Sequence, residues 1–206
     1  MKKLSIISLA LLLAACSLGP ASKDAPATYD LGAPRAHAAN QPRIRASLLV
    51  HNVAAPGWLD TPAIVYRLNY QDAARQQIYA SSRWAAAPAA LLTQRLRGRL
   101  AAASDGGVIG VADSARADYT LRLELEDFSQ VFDAADASRA VVIARASIVN
   151  VARRSLLAQT SFTVERAAAS ANAEGGVRAL AAAGDELIEA VVAWAAASLA
   201  REKKGN

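Results

Sequence analysis

The sequence predicts an α+β fold: a mainly antiparallel sheet with two amphipathic helices packed on one face, in two layers. Three observations carry that expectation. Residues 119–126 alternate strictly, with Tyr119, Leu121, Leu123 and Leu125 on one side and Thr120, Arg122, Glu124 and Glu126 on the other. Two further extended runs, 140–151 and 156–166, follow after short connections and complete an antiparallel meander. Two segments, one opening at Pro88 and one covering 173–201, repeat their apolar residues at helical spacing.

Taken in order, the first 15 residues join Lys2 and Lys3 to an apolar run broken only by two serines, then Ala14 and Ala15. This is the pattern of a secretory signal peptide. The run is well short of the roughly 20 residues a spanning helix needs. Leu13-Ala14-Ala15-Cys16 matches the lipobox of bacterial lipoproteins. Cleavage is expected between Ala15 and Cys16, with a diacylglyceryl group on the Cys16 thiol. Cys16 is the one cysteine in the chain, so it has no disulfide partner. Two or more acyl chains then give stable membrane attachment where one gives only marginal binding. Ser17, in place of the aspartate that retains such proteins at the inner membrane, directs the anchor to the inner leaflet of the outer membrane. The body then faces the periplasm.

Residues 16–41 are rich in Ala, Pro, Ser and Gly and read as the lipidated end and a flexible tether. Within them, residues 29–32 form a short first strand docked on the domain edge. A single folded domain is expected over 42–202. It begins with a strand at 44–53, followed by a Pro- and Gly-containing loop at 55–62. In that loop Trp58 and Leu59 either offer a contact to a partner or tuck back as a core plug, the commoner outcome. Residues 63–70 and 77–84 form a hairpin around a turn at 71–74. Trp58, Leu59 and Trp84 are the candidate partner-contact residues.

Pro88 suits the first turn of a helix. Leu91, Leu92, Leu96, Leu100 and Ala103 make its inner stripe, and Arg95, Arg97 and Arg99 are expected on a solvated face. Ser104-Asp105-Gly106-Gly107 stops it. A short strand at 108–111 and the meander follow, with a turn at 133–138 between its first two strands. In the last helix Val177, Leu180, Gly184, Leu187, Ile188, Val191, Ala195 and Leu199 form the apolar stripe. Glu174 near its start and Arg201, Lys203 and Lys204 near its end complement the helix dipole.

Charge and motif content argue against several functions. Of 23 lysines and arginines, Lys2 and Lys3 leave with the signal peptide, so 21 face 18 carboxylates with no block of one sign. Nucleic acid is therefore not an expected partner. The two histidines, His37 in the tether and His51 at a strand end, show no metal-ligand spacing. Neither a nucleophile elbow nor a phosphate-binding glycine loop is present. Gly106-Gly107 and Gly175-Gly176 read as helix punctuation. Glu124, Glu126 and Asp127 sit close together, but an amphipathic strand carries charges on its wet face anyway. The expectation is a non-enzyme with no cofactor and no metal.

The ordered set of features resembles the ABC-type transport auxiliary lipoproteins, the group that includes PqiC-like proteins. The resemblance rests on Cys16, Tyr29-Asp30-Leu31-Gly32 and the stretch from Trp58 to Arg67. Ser82-Arg83-Trp84-Ala85 before the Pro88 helix, and the last helix with Trp194, complete it. It implies an accessory to MCE-domain proteins and an ABC permease and ATPase that move lipid between the two membranes. Such a component docks on the MCE assembly and hydrolyses nothing itself. Assembly into a homo-oligomeric ring, with a lumen that extends the conduit, is a further implication. The rival functions are a lipoprotein enzyme of the cell wall and an assembly factor for an outer-membrane protein.

Overall fold

A computed structural model of the chain describes residues 25–34 and 43–205. The expected signal peptide, the Ala15–Cys16 cleavage site, Ser17 and His37 lie outside the described residues. Eight strands in one open sheet carry two long helices on one face. The strands are β1 Ala27–Tyr29, β2 Leu48–Val50, β3 Ala63–Leu68, β4 Gln76–Trp84, β5 Val108–Gly110, β6 Tyr119–Ala134, β7 Ala137–Asn150 and β8 Ser155–Ala167. The helices are α1 Pro88–Ala103 and α2 Ala173–Gly205. The predicted two-layer α+β architecture is the one observed.

The long ladders, β6 with β7, β7 with β8 and β3 with β4, are antiparallel. Shorter parallel pairings add β3 and β2 to one edge of β6, β5 to β2, and β1 to β4. β6 is long enough to hold two strands end to end on that edge: β2 lies against residues 119–121 and β3 against 129–132. The first strand expected at 29–32 lies earlier in the chain: it pairs at the sheet edge through Ala27, Thr28 and Tyr29, and the chain leaves the sheet at Asp30 to turn at Gly32.

The predicted strand at 44–53 is shorter than expected. Its backbone is served by three hosts in succession. Ile44 N–H donates to Ala103 O at 2.9 Å, Leu48 N–H to Gly107 O at 3.0 Å and His51 N–H to Leu121 O at 3.2 Å. Only Leu48–Val50 meets partners on both sides, so the regular ladder is confined to those three residues.

The core lies between the sheet and the helices. From β6 it takes Leu121, Leu123, Leu125 and Phe128, and from α2 Leu180, Leu187, Ile188 and Val191, all at 2% exposure or less. A bulge between Leu125 and Asp127 breaks the alternation, so Phe128 rather than Asp127 faces the helices. Beyond it Gln130 takes the next inward position and is fully buried. Its side chain is held on every side. Tyr79 Oη donates to Oε1 at 2.8 Å, and Nε2 donates to Ser138 Oγ at 2.8 Å and to Asn172 O at 3.2 Å. Burial, with Tyr66 beside it, pushes the Tyr79 phenol up to about 12, so it remains a donor through the physiological range.

Asn172 in turn caps α2, accepting from Gly175 N–H at 2.9 Å. The α2 backbone approaches Gln130 so closely that a Cβ at Gly176 would sit 1.9 Å from Oε1. Gly176→Ala is thus expected to cost about 1–3 kcal/mol, by forcing Gln130 out of its network. A thermal melt checks this, and Gln130→Ala in the same chain should recover part of the loss.

The opposite face of the sheet is covered with ion pairs. Arg145 meets Glu124 at 2.6 Å and Glu126 at 3.7 Å, Arg139 meets Asp133 and Glu165, and Arg67 meets Asp127 at 2.6 Å. Those charges explain why one helical layer suffices. Among the described residues no helix is long and apolar enough to cross a membrane.

Candidate functional site

The candidate contact residues separate in space. Leu59 is a core plug at 1% exposure, and Trp84 is buried to the same degree, its ring 5.7 Å from Phe128 at 60°. Neither offers surface to a partner, which corrects their selection as contact residues. The cause lies in the turn at Pro56: Leu59 N–H donates to Pro56 O at 2.8 Å and the chain folds inward. The adjacent Trp58 goes the other way. It is half-buried over the Arg67 guanidinium, 5.3 Å from cation to ring, on the face away from the helices. Arg67 also donates to Ser129 Oγ at 3.0 Å, so Trp58, Arg67 and Asp127 form one fixed unit.

The arginines of α1 are also placed differently from expectation. Arg99 is 6% exposed and pairs with Glu189 of α2. Arg95 meets Asp185 of α2 at 2.7 Å, with side-chain exposures of 9% and 11%. Arg97 reaches back to Val50 O at 3.0 Å and Asn52 Oδ1 at 2.9 Å. They form no solvated face, because α2 lies alongside α1 and supplies carboxylates within reach. Sequence periodicity assigns a face to a residue but does not show which second helix will cover it.

Between α1 and the segment 30–34 lies a cavity of about 650 Å³, lined by Leu31, Pro34, Leu91, Gln94, Arg95 and Arg99 among others. A second, of about 470 Å³, opens on the other side of the same segment against Val177, Arg178 and Ala181. Both are lined by Asp30, Leu31, Gly32 and Ala85. Nothing in the sequence pattern points to this groove except Gly32, whose left-handed φ of 68° lets the segment turn across the helices.

Glu124, Glu126 and Asp127 line neither cavity and are each ion-paired across the sheet. His51 sits beside Arg122 on the neighbouring strand. Its partial burial, then the Arg122 and Arg97 charges, hold its imidazole below the ordinary range, so it is neutral at pH 7. No group of three or more His, Cys, Asp and Glu side chains among the described residues could hold a metal.

Asp118 ties β2 to the start of β6. It accepts from Ser47 N–H at 3.0 Å and from Ser47 Oγ at 2.7 Å. Those bonds, the side-chain one first, hold its carboxyl below the usual carboxylate range against a smaller desolvation effect. A depressed folded-state pKa stabilises above the ordinary value near 4 and is lost as pH falls through the lower, folded value. Asp118→Asn is therefore expected to lower the melting temperature slightly at pH 7, by under about 1 kcal/mol for so exposed a group. In melts taken at successively more acid pH, below the ordinary carboxylate range, the difference should shrink.

The model of the ABC-type transport auxiliary lipoprotein component matches residues 29–192, from the end of β1 to just past the middle of α2. The chain belongs to this family. Membership makes it an auxiliary lipoprotein of ABC-type transport, held at a membrane of the cell envelope. The family is not one of known enzymes.

A comparison with curated proteins returns no match. Among solved structures, a DUF330 protein of Xanthomonas campestris shares the fold with a TM-score of 0.70 at 19% identity. The match covers 87% of this chain and 98% of that one. An uncharacterized protein matches with a TM-score of 0.63 at 18% identity, over 82% and 97% of the two chains. A hypothetical protein of Chlamydia trachomatis gives 0.53 at 9% identity, over 75% and 98%. At these identities the likeness is one of fold.

Proposed function

We propose that this chain is the non-catalytic docking or conduit component of an MCE-type system that moves lipid between membranes. In this reading the lipid on Cys16 fixes one end in the inner leaflet of the outer membrane. The residues between Cys16 and β1 give reach, and the α+β domain, in the periplasm, meets an MCE-domain protein and through it an ABC permease and ATPase. The single observation that carries the proposal is the family match over 29–192, which takes in all the long strands, α1 and the first 20 residues of α2. The physical logic is that of a leash. Confinement to one membrane raises the effective concentration of the partner surface, so a modest intrinsic affinity suffices.

A pull-down with the tagged full chain from detergent-solubilised envelopes tests the proposal. The expected result is co-purification of an MCE-domain protein with permease and ATPase subunits. Capture of an outer-membrane protein in their place would contradict it and favour the assembly-factor role. A cell-wall hydrolase would instead lose an activity on Glu124→Gln or Asp127→Asn. Both substitutions are expected to leave partner capture unchanged.

A further inference from the structure

The segment that crosses the groove is held far more lightly than the elements beneath it. β1 occupies the outermost position next to β4 and pairs through three residues, in parallel. Ala27 and Thr28 are exposed, Leu31 is buried in the core at 6% exposure, and Tyr29 packs partly buried against it. After it the chain turns at Gly32, whose N–H donates to Asp30 Oδ1 at 2.7 Å. Besides the β1–β4 ladder and the Arg83 Nε–H donated to Thr28 Oγ1 at 3.4 Å, two hydrogen bonds fasten the crosspiece to the body. Ala85 N–H donates to Tyr29 O at 2.6 Å, and Arg95 donates to Gly32 O at 2.5 Å.

Cavities flank this crosspiece on both sides and share its residues as lining, so it divides what is otherwise one groove. Few contacts and adjoining voids mean a low free energy of local opening. What lies beneath is already organised. Arg95 is fixed by Asp185 whether or not it holds Gly32 O. The Ser82–Trp84 edge of β4 would present unpaired backbone groups, and the seat of Leu31 would be an apolar hole between α1, α2 and Ala85. An edge to pair with, a hole for one aliphatic side chain and a guanidinium for one carbonyl are what an extended polypeptide needs.

We propose that residues 27–34 are a releasable strap, and that the groove and β4 edge they cover are the docking seat for an extended segment of a partner protein. The incoming segment runs parallel to β4, places an aliphatic side chain where Leu31 sits and a backbone carbonyl where Gly32 O sits. The strap is its occupant in the unengaged chain. The inference rests on the docking role proposed above and names its surface.

Three measurements test it, the first two on the full chain carrying Cys16→Ser and the third on the acylated chain. The first uses Leu31→Asp to remove the strap's anchor and a labelled peptide of residues 25–34 as the probe. The peptide should bind the Leu31→Asp chain about tenfold or more tighter than the unaltered strap allows, because an occupied seat is competent only in the fraction that is open. A Leu31→Asp peptide should not bind. Absence of peptide binding to a Leu31→Asp chain that still melts cooperatively overturns the proposal.

The second keeps the native anchor, so it stands even if Leu31→Asp does not fold. Thr28 and Arg83 are register partners whose side chains meet at 3.4 Å, so Thr28→Cys with Arg83→Cys gives a lock that closes on oxidation. In the reduced form the Ala85 amide should exchange its hydrogen on the order of a hundredfold faster than that of Leu123 in β6. Oxidation should slow it. Equal exchange at the two sites overturns the strap as a separately opening unit.

The third compares capture of the MCE-domain partner by the locked and reduced chains. Capture by the reduced form alone supports the seat. Equal capture by both overturns the seat but leaves the docking role standing. Capture by neither contradicts the docking role and the inference with it, while the peptide measurement still reports whether the groove accepts an extended chain.

Discussion

Trp84→Ala is expected to cost about 3–5 kcal/mol, the range for truncating a fully buried aromatic side chain. The indole lies between β4 and the core at 1% exposure, against Phe128. A domain of this size is stable by only about 5–15 kcal/mol, so the loss takes a large share. Its melting temperature should fall by roughly 6–20 °C. Among the described residues the indole Nε1 has no hydrogen-bond partner in its buried place. Trp84→Phe therefore leaves no acceptor stranded, and its cost should be well below that of alanine. Trp58→Ala gives the contrast. It removes a cation–π contact worth about 0.5–1 kcal/mol at a partly exposed site and should leave the fold intact. A thermal melt of the three variants ranks them, and equal costs at positions 58 and 84 would contradict the burial described here.

Cys16→Ser is expected to have the largest effect on location. Without a thiol to alkylate, no acyl chain is added, and the chain loses its attachment outright because no helix among the described residues can replace it. After envelope fractionation the protein should move from the membrane pellet to the soluble fraction or remain as uncleaved precursor. The folded domain should be unaffected, since Leu31, the first core side chain among the described residues, lies 15 residues beyond Cys16. Partner capture should fall as well, because the gain in effective concentration disappears with the leash.

Much of the fold is legible in the residues themselves. The period of two in β6, the helical stripes of α1 and α2 and the tight connection between β6 and β7 depend on local pattern, and each is where the sequence puts it. The stripe from Val177 to Leu199 is buried along its length. The parallel pairings were less legible. β2 and β3 share one edge of β6 only because that strand is long enough for both, a property of the assembled sheet that no local window contains.

The same limit explains the site. Arg95 and Arg99 look like a wet face until α2 brings Asp185 and Glu189 beside them, some ninety residues later in the chain. Trp58 and Leu59 are neighbours in one loop, and their types do not say that one will fill the core while the other caps Arg67. The groove was illegible for the same reason, since it is built from β1, α1 and α2 together.

The most direct test of a leashed component is the intact mass of the native protein extracted from envelope membranes. A chain beginning at Cys16 and heavier by a diacylglyceryl group, with or without an N-acyl chain, is the predicted result. An unmodified cysteine, or a chain that retains Met1 and stays in the cytosol, would contradict it.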